Sequence, residues 1–157
     1  MATGTPATKL LKSAGIEFTE HEYSHDPNST SFGLEAAEKL GVDPNRVFKT
    51  LIANVDETFA VAIVPVSQQV SLKSLSRALS AKRAVMADPA QAARLTGYVV
   101  GGISPLGQKR LLPTVIDQSA KDFETILVSG GRRGFDVELS PTDLAEILSA
   151  IFAEIAS

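Results

Sequence analysis

The chain has 157 residues, of which 44% are hydrophobic and 21% charged. That balance excludes a disordered chain and gives enough length for one domain, residues 1–157, burying about 68–70% of its unfolded surface. It contains no cysteine, which removes disulfide frameworks, thiolate metal sites and a protein thiol as catalyst.

The net charge of −3 argues against a general DNA or RNA binder, yet the charge is unevenly placed. Residues 1–60 hold five Lys/Arg against nine Asp/Glu, residues 61–133 hold ten against four, and residues 134–157 hold none against five. A basic middle between acidic ends is either a face for an anionic ligand or scattered surface charge.

Met1-Ala2-Thr3-Gly4-Thr5-Pro6 lacks the basic and apolar stretch of a signal peptide. Thr5-Pro6 then opens a helix whose Ala7, Leu10, Leu11 and Ala14 share a face and which Gly15 stops. Ile16 to Tyr23 reads as a strand, followed by the turn His25-Asp26-Pro27-Asn28, and a short helix spans about Leu34 to Leu40 before Gly41. Val47 to Val55 and Phe59 to Val64 form a hairpin around Asp56-Glu57-Thr58. Phe59 to Val66 is the longest apolar run, eight residues against the roughly 20 that cross a bilayer, so a soluble, cytoplasmic protein with no membrane partner is expected.

Ser71 to Leu79 is a helix by its Leu72, Leu75, Leu79 spacing, Lys82 to Met86 a short strand, and Asp88-Pro89 begins another helix ending near Gly97. Tyr98 to Gly107 is a glycine-rich loop. Thr114–Asp117, Thr125–Ser129 and Phe135–Leu139 are strands, and Ser140-Pro141 starts a final helix with Leu144, Ile147, Leu148 and Ile151 as its buried stripe. Strands that follow one another without helices predict an α+β fold: a curved mixed sheet, a partial barrel, with helices around it.

Four segments carry residues that do chemistry. His21, His25 and Asp26 are metal-ligand types and make a metal-dependent hydrolase a rival reading. A strand-turn does not gather them on one face, and no third histidine or cysteine joins them, so no metal is expected. Tyr23 shares the face of His21 and Thr19. In Val47-Phe48-Lys49-Thr50-Leu51-Ile52, alternation sets Lys49 beside Val47 and Leu51. An ammonium there is either an edge-strand guard against aggregation or a partly desolvated anchor for anionic oxygen. The loop from Gly97 to Gly107 lets the backbone approach a ligand, but Ser104 sits in no nucleophile elbow. Ser129-Gly130-Gly131-Arg132-Arg133-Gly134 is no phosphate-loop or dinucleotide motif; it is a plain hairpin or an anion-facing turn.

Together, Tyr23, Phe32, Phe48-Lys49-Thr50-Leu51, Gly97 to Gly107 and Ser129 to Gly134 resemble the YbaK family of free-standing aminoacyl-tRNA deacylases. These are related to the editing domain inserted in bacterial prolyl-tRNA synthetases, and Gly101-Gly102-Ile103-Ser104-Pro105-Leu106-Gly107 is similar to the Cys-tRNA(Pro) branch. The resemblance implies removal of cysteine from mischarged Cys-tRNA(Pro), with the substrate's own thiol attacking its ester, and no cofactor. It implies Lys49 as the group stabilising developing charge, and a pocket lined by Tyr23, Phe32, Thr50 and the Gly101-Gly102 backbone. Ser129 and Asp136 would meet the terminal adenosine or the α-amino group, and Lys109, Arg110, Arg132 and Arg133 the phosphates of the tRNA 3′ end. It also implies a transient complex with prolyl-tRNA synthetase. Deacylation of Ala-tRNA(Pro) or Cys-tRNA(Cys), or a non-catalytic module that binds a nucleotide or tRNA end, remain the alternatives.

Overall fold

Helix α1 (Pro6–Ala14) starts at a reciprocal cap in which Thr5 Oγ1 accepts from Thr8 N at 3.2 Å and Thr8 Oγ1 from Thr5 N at 2.9 Å. The computed structural model describes residues 4–157, so Met1 to Thr3 of the terminus read for a leader lie outside it. After α1 come β1 (Thr19–Glu22), α2 (Phe32–Leu40), β2 (Phe48–Val55), β3 (Thr58–Pro65), α3 (Leu72–Ala78), β4 (Ala84–Met86) and α4 (Pro89–Thr96). Then follow β5 (Thr114–Asp117), a 3₁₀ turn (Gln118–Asp122), β6 (Ile126–Arg132), β7 (Phe135–Leu139), α5 (Pro141–Leu148) and β8 (Ile151–Ala153).

The strands form the α+β arrangement expected, in two sheets. One is antiparallel, β1-β7-β6; the other is mixed, β4-β2-β3-β5-β8, with β5 parallel to both β3 and β8. As a partial barrel requires, the sheet does not close; it is divided into two pieces that, among the described residues, meet at one parallel bridge, Val47 with Leu127. There Leu127 N donates to Arg46 O at 3.0 Å. A bulge between Ser129 and Arg132 then breaks the register of β6, and a bulge bends the strand that carries it.

Between the sheets lies the main core, with Phe48 and Ile52 from β2, Ile126 and Val128 from β6, Phe135 and Val137 from β7, Leu11 from α1 and Leu144 from α5. A second cluster, with Ala53, Val55, Ala62, Val64 and Val115, packs under Leu75 of α3. The β2–β3 turn places Asp56 and Glu57 at φ 48° and 72°, an uncommon conformation for non-glycine residues. The Asp56 carboxylate accepts from Lys82 N and Arg83 N at 2.8 and 2.9 Å, which ties the turn to the approach of β4.

The final helix is shorter than its spacing predicts. It ends at Leu148, Ser149 takes φ 53°, and Ile151 opens β8, exposed rather than in the buried stripe. β5 offers its free edge to Ile151–Ala153, and the buried Asp117 carboxylate accepts from Ile155 N and Ala156 N at 2.9 and 3.0 Å. Pairing with a distant strand outweighs local helical periodicity.

Candidate active site

The missing strand between the two sheets makes the site. The carbonyls of Arg46, two residues before β2, and of Ile52 within it point away from β3, one to Leu127 N and the other to Ala87 N, each at 3.0 Å. Main-chain groups alternate along a strand, so those of Phe48 and Thr50 point the same way. Pairing with β4 begins only at Ala53. Among the described residues no strand fills the interval, and a cavity of about 440 Å³ occupies it.

Both sheets line this space. β2 contributes Lys49 and Thr50, β6 Ser129, β7 Asp136, and the residue following β1 is Tyr23. Ser129 and Asp136 are cross-strand partners, which sets their side chains on one face. Tyr23 N donates to Gly134 O at 3.0 Å, extending the β1–β7 ladder to the rim. Phe32 and Gly101 also line it. These residues are scattered along the chain, yet seven of the eight expected pocket positions reach one cavity.

The electrostatics of the lining are unbalanced. Asp136 is 6% exposed, and burial pushes its carboxyl up to about 7. Burial pushes the Lys49 ammonium below its ordinary range. Neither forms an ion pair among the described residues, where the salt bridges join other groups. Tyr23 is pushed up to about 12, by burial first and by Asp136 second. Thr50 Oγ1 is buried with no hydrogen-bond partner among the described residues, a state that ordinarily costs about 1–3 kcal/mol. The cavity thus holds a half-buried cation and an almost fully buried acid.

The other expected residues are placed differently. Gly102 lies outside the lining: its N–H donates to Val99 O at 2.9 Å, and a Cβ there would stand 2.8 Å from Arg132 Cα. Its smallness lets the loop pack on the β6–β7 hairpin. Arg133 lies at the rim, its Nε donating to Val100 O at 2.8 Å and its guanidinium 5.0 Å from the centre of the Phe32 ring. Arg132 pairs with Glu22 at 3.0 Å and stacks on Phe135. The Lys109 stem covers Gly97. Arg110 lines a separate hollow beside Glu57 and Phe59, so the basic middle of the chain is not gathered at one mouth.

His21 and His25 are turned to different carboxylates. His21 Nε2 lies 2.7 Å from Glu138, and His25 Nδ1 lies 2.6 Å from Glu35. No three His, Asp or Glu groups among the described residues form a metal cluster. Glu35 was not singled out by its sequence context, because only the fold of the turn before α2 brings its carboxylate to His25: besides His25 it accepts from Asp26 N at 2.8 Å and pairs with Lys39, one helical turn on, at 3.3 Å. Burial alone would raise its carboxyl, but these hydrogen bonds outweigh it and hold the group below its ordinary range. Sequence reading also missed Leu34, Val66, Met86 and Val100 in the lining. The one local signal was Gly33, where a Cβ would stand 2.2 Å from a Val66 methyl, so glycine is what lets α2 close one wall.

One cavity thus brings together a cation and a buried acid, neither in an ion pair among the described residues, with no histidine in its lining. Residues 26–147 match the family described as Aminoacyl-tRNA editing domain, and the chain belongs to that family. Editing is cleavage of the aminoacyl ester, so the activity is aminoacyl-tRNA deacylation. The expected resemblance to the YbaK group is borne out. The chain is 32% identical over 154 residues to EbsC of Enterococcus faecalis, a proposed Cys-tRNA(Pro)/Cys-tRNA(Cys) deacylase, covering 98% of this chain and 93% of EbsC. It is 29% identical over 101 residues to a proline–tRNA ligase of Shouchella clausii, covering 64% of this chain and 18% of the ligase. Its fold matches the crystal structure of a proposed trans-editing enzyme for prolyl-tRNA synthetase with a TM-score of 0.83 at 21% identity, each chain being covered to 99%. No helix among the described residues is long and apolar enough to cross a membrane.

Proposed function

We propose that the chain removes cysteine from mischarged Cys-tRNA(Pro), and that Lys49, Asp136 and the cavity between them form the reaction site. The reading is carried by one observation: a half-buried ammonium and an almost fully buried carboxyl, neither in an ion pair among the described residues, line one cavity. An aminoacyl ester has the complementary pattern, with an α-ammonium at one end and an ester carbonyl at the other. Asp136, with Ser129 beside it, takes the α-ammonium, whose charge draws the Asp136 proton off. Lys49 faces the ester carbonyl and stabilises the negative charge that develops there. Tyr23, Phe32, Thr50 and Gly101 shape the walls, and Arg133 meets a phosphate of the 3′ end.

The lining brings no histidine to activate a hydroxyl or a water, and the thiol of the substrate supplies the nucleophile. A thiol is a few per cent thiolate at pH 7 and strongly nucleophilic. After loss of its proton to solvent, the sulfur forms a bond to the carbonyl carbon. The carbon–oxygen ester bond then breaks with its electron pair on the ribose oxygen, which takes up a proton. The products are a four-membered thiolactone and tRNA with a free hydroxyl. Holding sulfur and carbonyl together can contribute up to about 7–11 kcal/mol, less the strain of the small ring.

A cavity discriminates small side chains by only about 1–3 kcal/mol, which is why a synthetase that accepts cysteine for proline needs a second check. Selection of tRNA(Pro) comes from a transient complex with prolyl-tRNA synthetase, in keeping with a chain of net charge −3 that binds RNA weakly by itself.

Purified protein is assayed on Cys-tRNA(Pro), Ala-tRNA(Pro), Ser-tRNA(Pro) and Cys-tRNA(Cys). Cys-tRNA(Pro) is cleaved, Ser-tRNA(Pro) is spared, and Lys49→Ala abolishes turnover without lowering the melting temperature. Equal rates on the cysteinyl and seryl substrates would point to water as nucleophile, and an active Lys49→Ala protein would remove Lys49 from the site. No turnover on any substrate would leave a binding module.

A further inference from the structure

Three large apolar side chains of the cavity lining stand in solvent. Leu34 in the first turn of α2 is 48% exposed, Met86 at the end of β4 is 45% exposed, and Val100 in the loop after α4 is 40% exposed, and all three line the cavity that holds Lys49. They come from three separate elements, so no single amphipathic pattern accounts for them. Each is held in place: Leu34 follows Gly33, which is seated on Val66; Met86 is paired with Ala53; and Val100 O accepts from Arg133 Nε. Exposed aliphatics scattered singly need no explanation, but three of them on the lining of one cavity mark a contact surface.

The occupant is set by covalent connection. When the aminoacyl group enters the cavity, the ribose it is esterified to reaches the opening with it, and the attached base must lie on whatever surrounds that opening. We propose that Leu34, Met86 and Val100 form an aliphatic collar that receives the face of the terminal unpaired base of the 3′ end. This rests on the deacylase reading above and extends it to the nucleoside. A base presents an apolar face whatever its identity, and contact with that face binds without reading sequence. That suits an end common to all tRNAs. The charge beside the collar is complementary, since the Arg133 guanidinium is held between Val100 O and the Phe32 ring, where a phosphate preceding the terminal nucleoside would pass.

The test is a binding cycle that does not depend on turnover. Two uncharged hairpin RNAs copying the acceptor stem are used, one ending in the complete single-stranded 3′ end and one lacking only its terminal adenosine. Each is titrated against the wild type and against Leu34→Ser, Met86→Ser and Val100→Ser, with thermal melts to show that these surface substitutions leave the fold intact. Removing the adenosine should weaken wild-type binding about tenfold, equivalent to roughly 1.4 kcal/mol. Each collar substitution should weaken binding of the complete RNA by about twofold, its share of that tenfold, and have little effect on the shortened one. Additive effects, with the same loss on both RNAs, would overturn the collar, as would wild-type binding that ignores the adenosine or is absent at millimolar RNA. Variants that bind RNA normally but lose the synthetase would assign the surface to a protein partner and also overturn it. Wild-type deacylation, measured alongside, separates these failures from failure of the functional reading.

Discussion

Replacing Asp136 by asparagine should stabilise the protein, and should do so in a way that depends on pH. Asp136 is almost fully buried in the cavity wall, and burial raises its carboxyl from the ordinary 3.8 to about 7. The unfolded chain therefore releases this proton near pH 4, whereas the folded chain holds it until near pH 7. Between those limits the unfolded state binds fewer protons, so wild-type stability falls as pH rises, by about 1.4 kcal/mol per pH unit. Over about three units the cost approaches about 4 kcal/mol, a large part of the roughly 5–15 kcal/mol that holds a domain together. Asparagine has nearly the same shape and no proton to lose. Urea unfolding of both proteins from pH 4 to pH 8.5 should show a stability difference that grows in favour of the Asp136→Asn variant from pH 4 to 7 and is level above 7. Glu35 and Glu138, whose carboxyls are held below their ordinary range by hydrogen bonds, tilt both curves alike and cancel in the difference. A difference that stays flat across the range would refute the buried, uncharged Asp136 and the ligand-compensated charge built on it. The stabilised variant should also lose deacylation, since the group that destabilises the empty cavity is the one that takes the α-ammonium.

Gly101 has φ +86°, and a Cβ there would stand 2.7 Å from the Phe32 ring. Gly101→Ala should therefore cost about 1–3 kcal/mol in urea unfolding and raise KM, and an unchanged KM would show that Phe32 does not form the wall. Glu35→Ala leaves the Asp26 amide and His25 without their partner, with an expected loss of about 2 kcal/mol, read by the same unfolding assay; a loss within error would mean that the cluster does not anchor the start of α2. Arg133→Gln should reduce the salt dependence of tRNA binding by about one in the log–log slope, whereas an unchanged slope would move the phosphate contact elsewhere.

Local chemistry was legible along the chain. Thr5-Pro6, Ser71 and Ser140-Pro141 each open a helix, and Gly15, Gly41 and Gly97 each close one in the left-handed conformation, because caps and turns depend on neighbours within four residues. Tyr23, Phe32, Lys49, Thr50, Gly101, Ser129 and Asp136 were marked by resemblance, and all seven line the cavity. Alternation alone left Lys49 open between an edge guard and an anchor.

Tertiary structure decided the rest. Ile151 fits the spacing of α5, yet it begins β8, because the edge of β5 and the Asp117 carboxylate lie in reach only after the chain has folded. The basic residues of the middle segment were dispersed, Arg133 to the cavity rim and Arg110 to another hollow, since adjacency in sequence does not set the direction of side chains on loops. The cavity itself has no sequence signature. It arises because, among the described residues, β2 and β6 meet at Val47 and Leu127 and do not pair again, and the interval they leave brings an ordinary strand lysine and an ordinary strand aspartate, neither in an ion pair there, to one cavity.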